Sequence, residues 1–395
     1  MKSKNQKLLV GIGALVIIFV LYSVITTGKK EKKDAETVSE NQVTLKQARE
    51  EKEKLIENGI NGKYKNLYFE DFKFDDSFGD SVYKLKLKYP VTYQNMELKE
   101  VLQVQVNTLK TFYGDKLDMD YVYDQSVVGD KFYIAEKQIK NGTYSKEQLP
   151  YLVYHKDEYH AQVDAGISAL WMDVGLDGIT EMNNSKTLET IYYPYDTEEK
   201  LQDTYKTENG TLSVKEGIEK IETYFNENFP IAQTEKELHR VVNAKIVEKE
   251  DKNHAFQFAL TREYDGVKFE SAISGTMAYN LDERVDLTDA IMDGDGSVLY
   301  FSGYCCNTNY IEEKSFTTIL SPTVAMQRIA DKIGENSEYE VNSMGLIYAE
   351  REKEDCDYNV ATPVWQVTVT NKVDQKKTYF YVNVENGEVT SRVIG

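Results

Sequence analysis

Apolar and polar positions fall into three regimes along the chain. Leu8 to Ile25 is an uncharged run of eighteen residues, LLVGIGALVIIFVLYSVI. At about 1.5 Å per residue a helix of that length reaches roughly 27 Å, close to the ~30 Å apolar core of a bilayer. The run therefore predicts a membrane-spanning anchor. It exceeds the ~7–15-residue apolar stretch of a cleaved secretory signal, and neither an Ala-x-Ala site nor a cysteine follows it. Residues 29–60 are charged and poor in apolar positions. Thr44 and Gln47 have capping-box spacing and open a short helix through Leu55 and Ile56, closed at Asn58-Gly59, which reads as a stalk.

Past Gly62 the pattern turns to period two. Tyr83, Leu85, Leu87 and Tyr89 alternate with Lys84, Lys86 and Lys88, a half-buried strand ended by Pro90. Residues 96–113 hold Leu98, Val101, Leu102, Leu109, Phe112 and Tyr113 at helical spacing, with Val104 and Val106 off the stripe and Gly114 at the stop. The alternation from Tyr159 to Trp171 predicts one strand of about a dozen residues. Leu152–Tyr154 pairs with it as a hairpin across His155–Glu158.

Two later stretches match each other. Leu212-Ser213 opens a helix reaching Phe225, with Ser213 as N-cap. Leu320-Ser321-Pro322 opens another reaching Ile333, 108 residues on, with Pro322 at the first helical position. Phe256–Thr261 then aligns with Trp365–Thr370 at an offset of 109. Each is followed by a polar turn, holding Asp265 or Asp374, and by a further alternating strand, Phe269 to Met277 or Tyr379 to Val384. The shared plan of helix, strand and hairpin predicts an internal repeat, with 151–172 as a degenerate third copy.

The second copy resembles a PepSY-type module, a small extracytoplasmic α+β domain. That family's pattern is a Leu-Ser-x-x-x-Ala helix, a central Trp strand and a strand ending in Val-Asp-Ala-x-Thr-Gly-Glu-Val. The matching residues are Leu320–Ala325, Val364–Val367 and Val382–Val389, with Asn383 and Val384 in place of Asp and Ala. The resemblance is best over 320–392 and weaker over 212–285, where Tyr279-Asn280-Leu281-Asp282 lacks the Gly turn. It implies a bacterial, extracytoplasmic, non-catalytic module that binds or restrains a partner, using an open sheet face or an edge strand that accepts an extended segment.

Charge and composition narrow the function classes. The net charge is −19, and because residues 1–28 contribute +3, the remainder carries −22. Such a polyanion is repelled by nucleic acid and by anionic membrane surfaces. With 29 tyrosines and 15 phenylalanines the chain has ample material for packed cores. Lys2, Lys4 and Lys7 before the apolar run balance Lys29, Lys30, Lys32 and Lys33 after it. The positive-inside rule therefore leaves orientation open, and the family resemblance places the N-terminus inside. Cys305, Cys306 and Cys356 are too few for a disulfide scaffold or zinc ribbon. A bridge from Cys305 or Cys306 to Cys356 and three separate thiols both remain open.

Chemistry-bearing motifs are weak. His155-Lys-Asp-Glu158-Tyr-His160 meets neither zinc-protease spacing, and a five-residue step separates the two histidines on a strand or a helix. Asp293-Gly-Asp295-Gly-Ser297 starts like a calcium loop but has Val298 and Tyr304 where Gly and Glu are needed, so it reads as a hairpin turn. A low-affinity cation site among Asp286, Asp289, Asp293 and Asp295 is the alternative. Gly166-Ile-Ser168 lacks the second Gly of a nucleophile elbow, and no phosphate-binding or dinucleotide motif is present. No catalytic, cofactor or metal residue is expected, and no cofactor.

The expected fold is α+β: a single N-terminal transmembrane helix followed by tandem helix-plus-antiparallel-sheet modules. The segments are 1–28 cytoplasmic tail and anchor, 29–60 stalk, 61–205 a β-rich α+β domain, 206–300 a first PepSY-like module and 301–395 a second. The expected protein is single-pass, non-enzymatic and extracytoplasmic, held in the bilayer through Leu8–Ile25, and binds or regulates an envelope protein partner. The alternative is a glycan- or peptide-binding surface rich in tyrosine, tested by changing Tyr192, Tyr193 and Tyr195. An enzyme of unrecognised type within 60–200 is the third reading.

Overall fold

The structure, a computed structural model, describes residues 41–88, 96, 98–116, 151–156, 159–165, 170–176, 186–192, 198–229, 235–248, 253–270, 288–305, 308–352 and 358–394. Within them the fold is mixed α+β and dominated by strands. In chain order come β1 (Gln42–Thr44), α1 (Leu45–Arg49), α2 (Lys52–Ile60), β2 (Leu67–Tyr68), β3 (Lys73–Asp75), β4 (Val82–Lys88) and α3 (Leu98–Tyr113). Next are β5 (Tyr151–Lys156), β6 (Tyr159–Ala165), β7 (Leu170–Leu176), β8 (Lys186–Tyr192), α4 (Glu198–Gln202), β9 (Thr204–Lys206), β10 (Thr211–Ser213) and α5 (Val214–Asn228). Then follow β11 (Glu237–Glu248), β12 (His254–Tyr264), β13 (Val267–Phe269), β14 (Thr288–Met292), β15 (Val298–Cys305) and β16 (Asn309–Phe316). The chain closes with β17 (Thr318–Leu320), α6 (Pro322–Ile333), β18 (Tyr339–Glu352), β19 (Asn359–Asn371), β20 (Lys377–Asn383) and β21 (Val389–Ile394).

By contacts the chain divides into two units: residues 1–72, 317–344 and 364–395, and residues 73–316 and 345–363. These bounds differ from the sequence-based segments. The apolar run Leu8–Ile25 and the first part of the expected stalk lie outside the described residues, and among the described residues no helix is long and apolar enough to cross a membrane.

The larger unit is organised by an antiparallel sheet with the strand order β5-β6-β7-β15-β14-β12-β11-β8. One face takes α3 and α5. Its core is aromatic: the Phe301 ring lies 5.3 Å from Phe112, 5.3 Å from Phe225 and 5.1 Å from Phe229. Phe256 and Phe258 are fully buried beside them, and a Cβ on Gly217 of α5 would stand 2.8 Å from Phe258, so that residue lets helix and sheet close up. Val106, off the apolar stripe in the sequence, is buried in this core. Its neighbour Gln105 is buried too, and its amide donates to the Val163 carbonyl at 2.8 Å.

The dozen-residue strand expected from Tyr159 to Trp171 is two strands. β6 and β7 pair with each other, Asp164 opposite Trp171 and Ala165 opposite Leu170. The burial parity flips between them: Ala161 and Val163 are buried in β6, but Leu170, Met172 and Val174 in β7. Trp171 therefore does not share the Ala161 face. The β5–β6 hairpin forms as expected, paired through Lys156 and Tyr159.

A buried polar cluster in the same unit links several strands. The guanidinium of Arg262 donates to Glu350 at 2.5 Å and to the Tyr310 hydroxyl at 3.1 Å, and lies 4.5 Å over the Phe269 ring. Asn359 holds the other Glu350 oxygen at 2.6 Å, and Tyr310 bonds Glu237. At 5% and 2% side-chain exposure, the Arg262–Glu350 pair is far costlier to break than a surface pair, about 3–5 kcal/mol against ~1.

In the smaller unit α6 packs against β20 and β21. Trp365 is fully buried and its indole N–H donates to the Leu320 carbonyl at 2.7 Å. The Thr44–Gln47 capping box is present. The expected single helix breaks at Glu50-Glu51 into α1 and α2, and continues through Gly59 to Ile60. This stretch is not a free spacer. β1 pairs antiparallel with β17, and Leu45, Ala48 and Leu55 are buried.

The two helices that open the matching stretches are each followed by an antiparallel hairpin turn held by the helix. In the larger unit Gly296 (φ 91°) turns β14 into β15, and Lys220 of α5 donates to the Asp295 carbonyl at 3.3 Å. In the smaller unit Gly387 (φ 70°) turns β20 into β21, and Arg328 of α6 donates to the Gly387 carbonyl at 2.9 Å. The stretch that the sequence aligns with the second turn, Tyr279–Asp282, which lacks its Gly, lies outside the described residues. The strand that flanks β12 along Phe256–Leu260 is β14, whereas β13 turns away after Tyr264–Val267 to pair in parallel with β18.

His239 supplies a pH test of the larger unit. Its ring is buried against Phe225, with Nε2 2.9 Å from the Phe229 carbonyl. Burial pushes its pKa down to about 4, opposed by that carbonyl and aided by Arg262. The unfolded chain binds a proton near pH 6.5, which the folded chain refuses until about pH 4. Stability is thus whole above about 6.5 and falls by up to about 3 kcal/mol as pH drops through that window. Urea titrations between pH 7 and 4 will show a smaller loss in His239→Gln than in the parent chain.

Candidate functional site

Because side chains alternate along each strand, the eight-stranded sheet has a second face, on which no helix of the described residues packs. Its register lines up two rows across the strands. One row runs Thr190, Lys245, Gln257, Ile291, Tyr300, Gly175, His160, His155. The other runs Tyr192, Asn243, Ala259, Asp289, Ser302, Asp173, Gln162. Two of these positions were singled out in the sequence as a failed zinc motif. The hairpin corrects the geometry: His155 and His160 are directly opposed across β5 and β6, so they share this face.

Tyr300 and Asp173 form the centre. The Tyr300 hydroxyl donates to Asp173 Oδ2 at 3.1 Å, while Asp173 Oδ1 is 3.8 Å from His160 Nε2. The Tyr300 and His160 rings are 6.5 Å apart. Burial raises the Tyr300 pKa to about 12, with the Asp173 charge adding to it, so the phenol stays a neutral donor. Asp289 is pushed above the usual carboxylate range by burial, with Lys245 opposing. Gly175 is the opening that admits the tyrosine: a Cβ there would stand 2.8 Å from Tyr300 Cδ2 and 3.1 Å from its Cβ. From the opposite face the Tyr113 hydroxyl donates to the Gly175 carbonyl at 3.0 Å, bracing the same point.

The Asp173–His160 separation is an ion-pair distance, beyond hydrogen-bond reach. Among the described residues no group of three or more His, Cys, Asp and Glu converges to hold a metal. Asp293 and Asp295 serve their own turn. Asp293 accepts from Gly294 at 2.7 Å and Asn209 at 2.6 Å, and Asp295 from the Ser297 amide at 2.8 Å. Asp286, Gly166–Ser168, Tyr193, Tyr195, Cys306 and Cys356 lie outside the described residues, and Cys305 ends β15 in register with Leu170.

No protein-family model matches the chain, and no curated protein matches it either. Among solved structures it is similar to an uncharacterized protein from Eubacterium rectale ATCC 33656, with a TM-score of 0.47 and 13% identity over 82% of this chain and 90% of that one. A weaker likeness is to the Bacillus megaterium YpeB C-terminal domain, with a TM-score of 0.22 and 12% identity over 67% of this chain and 97% of that one. Neither likeness is strong enough to assign a function.

Gly175→Ala forces the Tyr300 ring off its seat, since a 2.8 Å approach is closer than van der Waals contact allows. The expected cost is about 1–3 kcal/mol by chemical denaturation, with a downward shift of the Tyr300 phenol titration as its contact with Asp173 opens. Tyr300→Phe keeps the ring and loses less.

Proposed function

We propose that the chain is a membrane-tethered, extracytoplasmic, non-enzymatic protein that binds or regulates a protein partner in the cell envelope, the N-terminus lying inside and the bulk outside. The tether is Leu8–Ile25. The body carries two PepSY-like modules that are copies of one another. Support for the copies is the common order of helix, hairpin and Gly turn, with Lys220 and Arg328, 108 residues apart, each bonding the turn of its own module.

The observation that carries the binding role is the second sheet face, free of helices among the described residues, where Tyr300, His160 and Gln257 stand in one row and Asp173 in the next on a rigid scaffold. An aromatic ring with convergent polar groups is the composition of recognition surfaces. A second reading, a glycan or peptide ligand, is favoured by the same Tyr300 ring flanked by the carboxylates Asp173 and Asp289, a platform and acceptors for hydroxyl groups.

Site-specific photocrosslinkers at Gln257 and Gln162, and at Glu219 on the exposed side of α5 as control, test the first reading in living cells. The expected result is one discrete protein adduct common to Gln257 and Gln162, absent at Glu219 and lost with Asp173→Lys. Equal adducts at all three positions, or none, would contradict it. Saturable binding to a glycan array, abolished by Tyr300→Ala, supports the second reading instead.

A further inference from the structure

α6 does not cap itself. α5 opens with a complete capping box: the Glu216 amide donates to Ser213 Oγ at 3.2 Å and the Ser213 amide to Glu216 at 3.0 Å. At the matching place in α6, Ser321 makes no side-chain bond to its own helix, and Val324 stands where α5 has Glu216. The missing carboxylate comes from Glu51, some 270 residues earlier in the chain. One Glu51 oxygen accepts from Ser321 Oγ at 2.6 Å, the Thr323 amide at 3.0 Å and Thr323 Oγ1 at 2.7 Å. A negative charge there also meets the positive end of the helix dipole.

The same N-terminal stretch holds the rest of α6. The Ser321 amide donates to the Asn41 carbonyl at 3.0 Å. The Tyr64 hydroxyl donates to the Thr323 carbonyl at 3.0 Å. At the far end the Asn66 amide donates to the Ala330 and Gly334 carbonyls at 2.8 and 2.6 Å. Both ends of α6 are thus closed by residues 41–68, and the orphan amides and carbonyls of a helix end are costly when buried without partners.

We infer that Asn41–Tyr68 is a clasp whose engagement decides whether α6 is folded, so that the segment leading in from the N-terminal apolar run controls the C-terminal module. Displacing or cutting the clasp uncaps α6 and loosens the Trp365 core beneath it. α5, which carries its own cap, is not coupled in this way. The inference stands apart from membrane insertion of Leu8–Ile25.

Hydrogen exchange on the full chain tests it. Glu51→Ala is expected to speed exchange of the Ala325–Ile333 amides at least roughly tenfold, while α5 changes by less than about twofold. Adding Val324→Glu, which gives α6 the box that α5 has, is expected to restore most of the protection. It also recovers folded chain should Glu51→Ala alone not accumulate. The inference is overturned if Glu51→Ala leaves α6 as protected as in the parent, if α5 loosens equally, or if Val324→Glu restores nothing.

Discussion

Phe301 touches both α3 and α5 in the larger unit, and much else follows from that contact. Its ring meets Phe112 at the end of α3 and both Phe225 and Phe229 at the end of α5. Removing such a fully buried ring costs on the order of 3–5 kcal/mol, a large part of a domain's stability. Alternation then dictates the rest: with Phe301 facing the helices, Tyr300 and Ser302 must face away. One strand both anchors the core and presents the candidate surface, so the position of Tyr300 is as rigid as the core behind it.

The smaller unit depends on a different constraint. Helix ends demand partners, and α6 obtains its own from a distant segment. Glu51 is held below the usual carboxylate range: burial pushes it up, but the hydrogen bonds from Ser321 and Thr323 and the charge of Lys54 outweigh that. The interaction is therefore strongest with Glu51 ionised and weakens as pH falls through its lowered pKa. Buried polar groups serve as joints in both units, Glu51 in one and the Arg262–Glu350 pair in the other.

Local signals were legible in the sequence. The caps at Thr44 and Ser213, the Pro322 start of α6, the helix ending before Gly114 and the Asp293–Ser297 turn all depend on residues a few positions apart. What failed depended on distance. The alternation through Trp171 could not reveal a reversal of direction between β6 and β7. The hairpin expected around His155–His160 forms, but spacing along one strand could not show that the two histidines stand opposite each other across it. Glu51 read as one charge among many in a stalk, since nothing near it shows that its partners are Ser321 and Thr323. The candidate face was invisible for the same reason: its two rows collect residues from His155 to Ser302 that become neighbours only once the strand order is known.

The central claim is that the second face of the eight-stranded sheet is a recognition surface. Hydroxyl-radical footprinting of the full chain, purified and then in intact cells, measures it most directly. The account predicts that Tyr300, His160 and Trp171 are protected in cells relative to the purified chain, while Tyr224 on α5 reacts equally in both. Equal reactivity of all four residues in the two settings would contradict it.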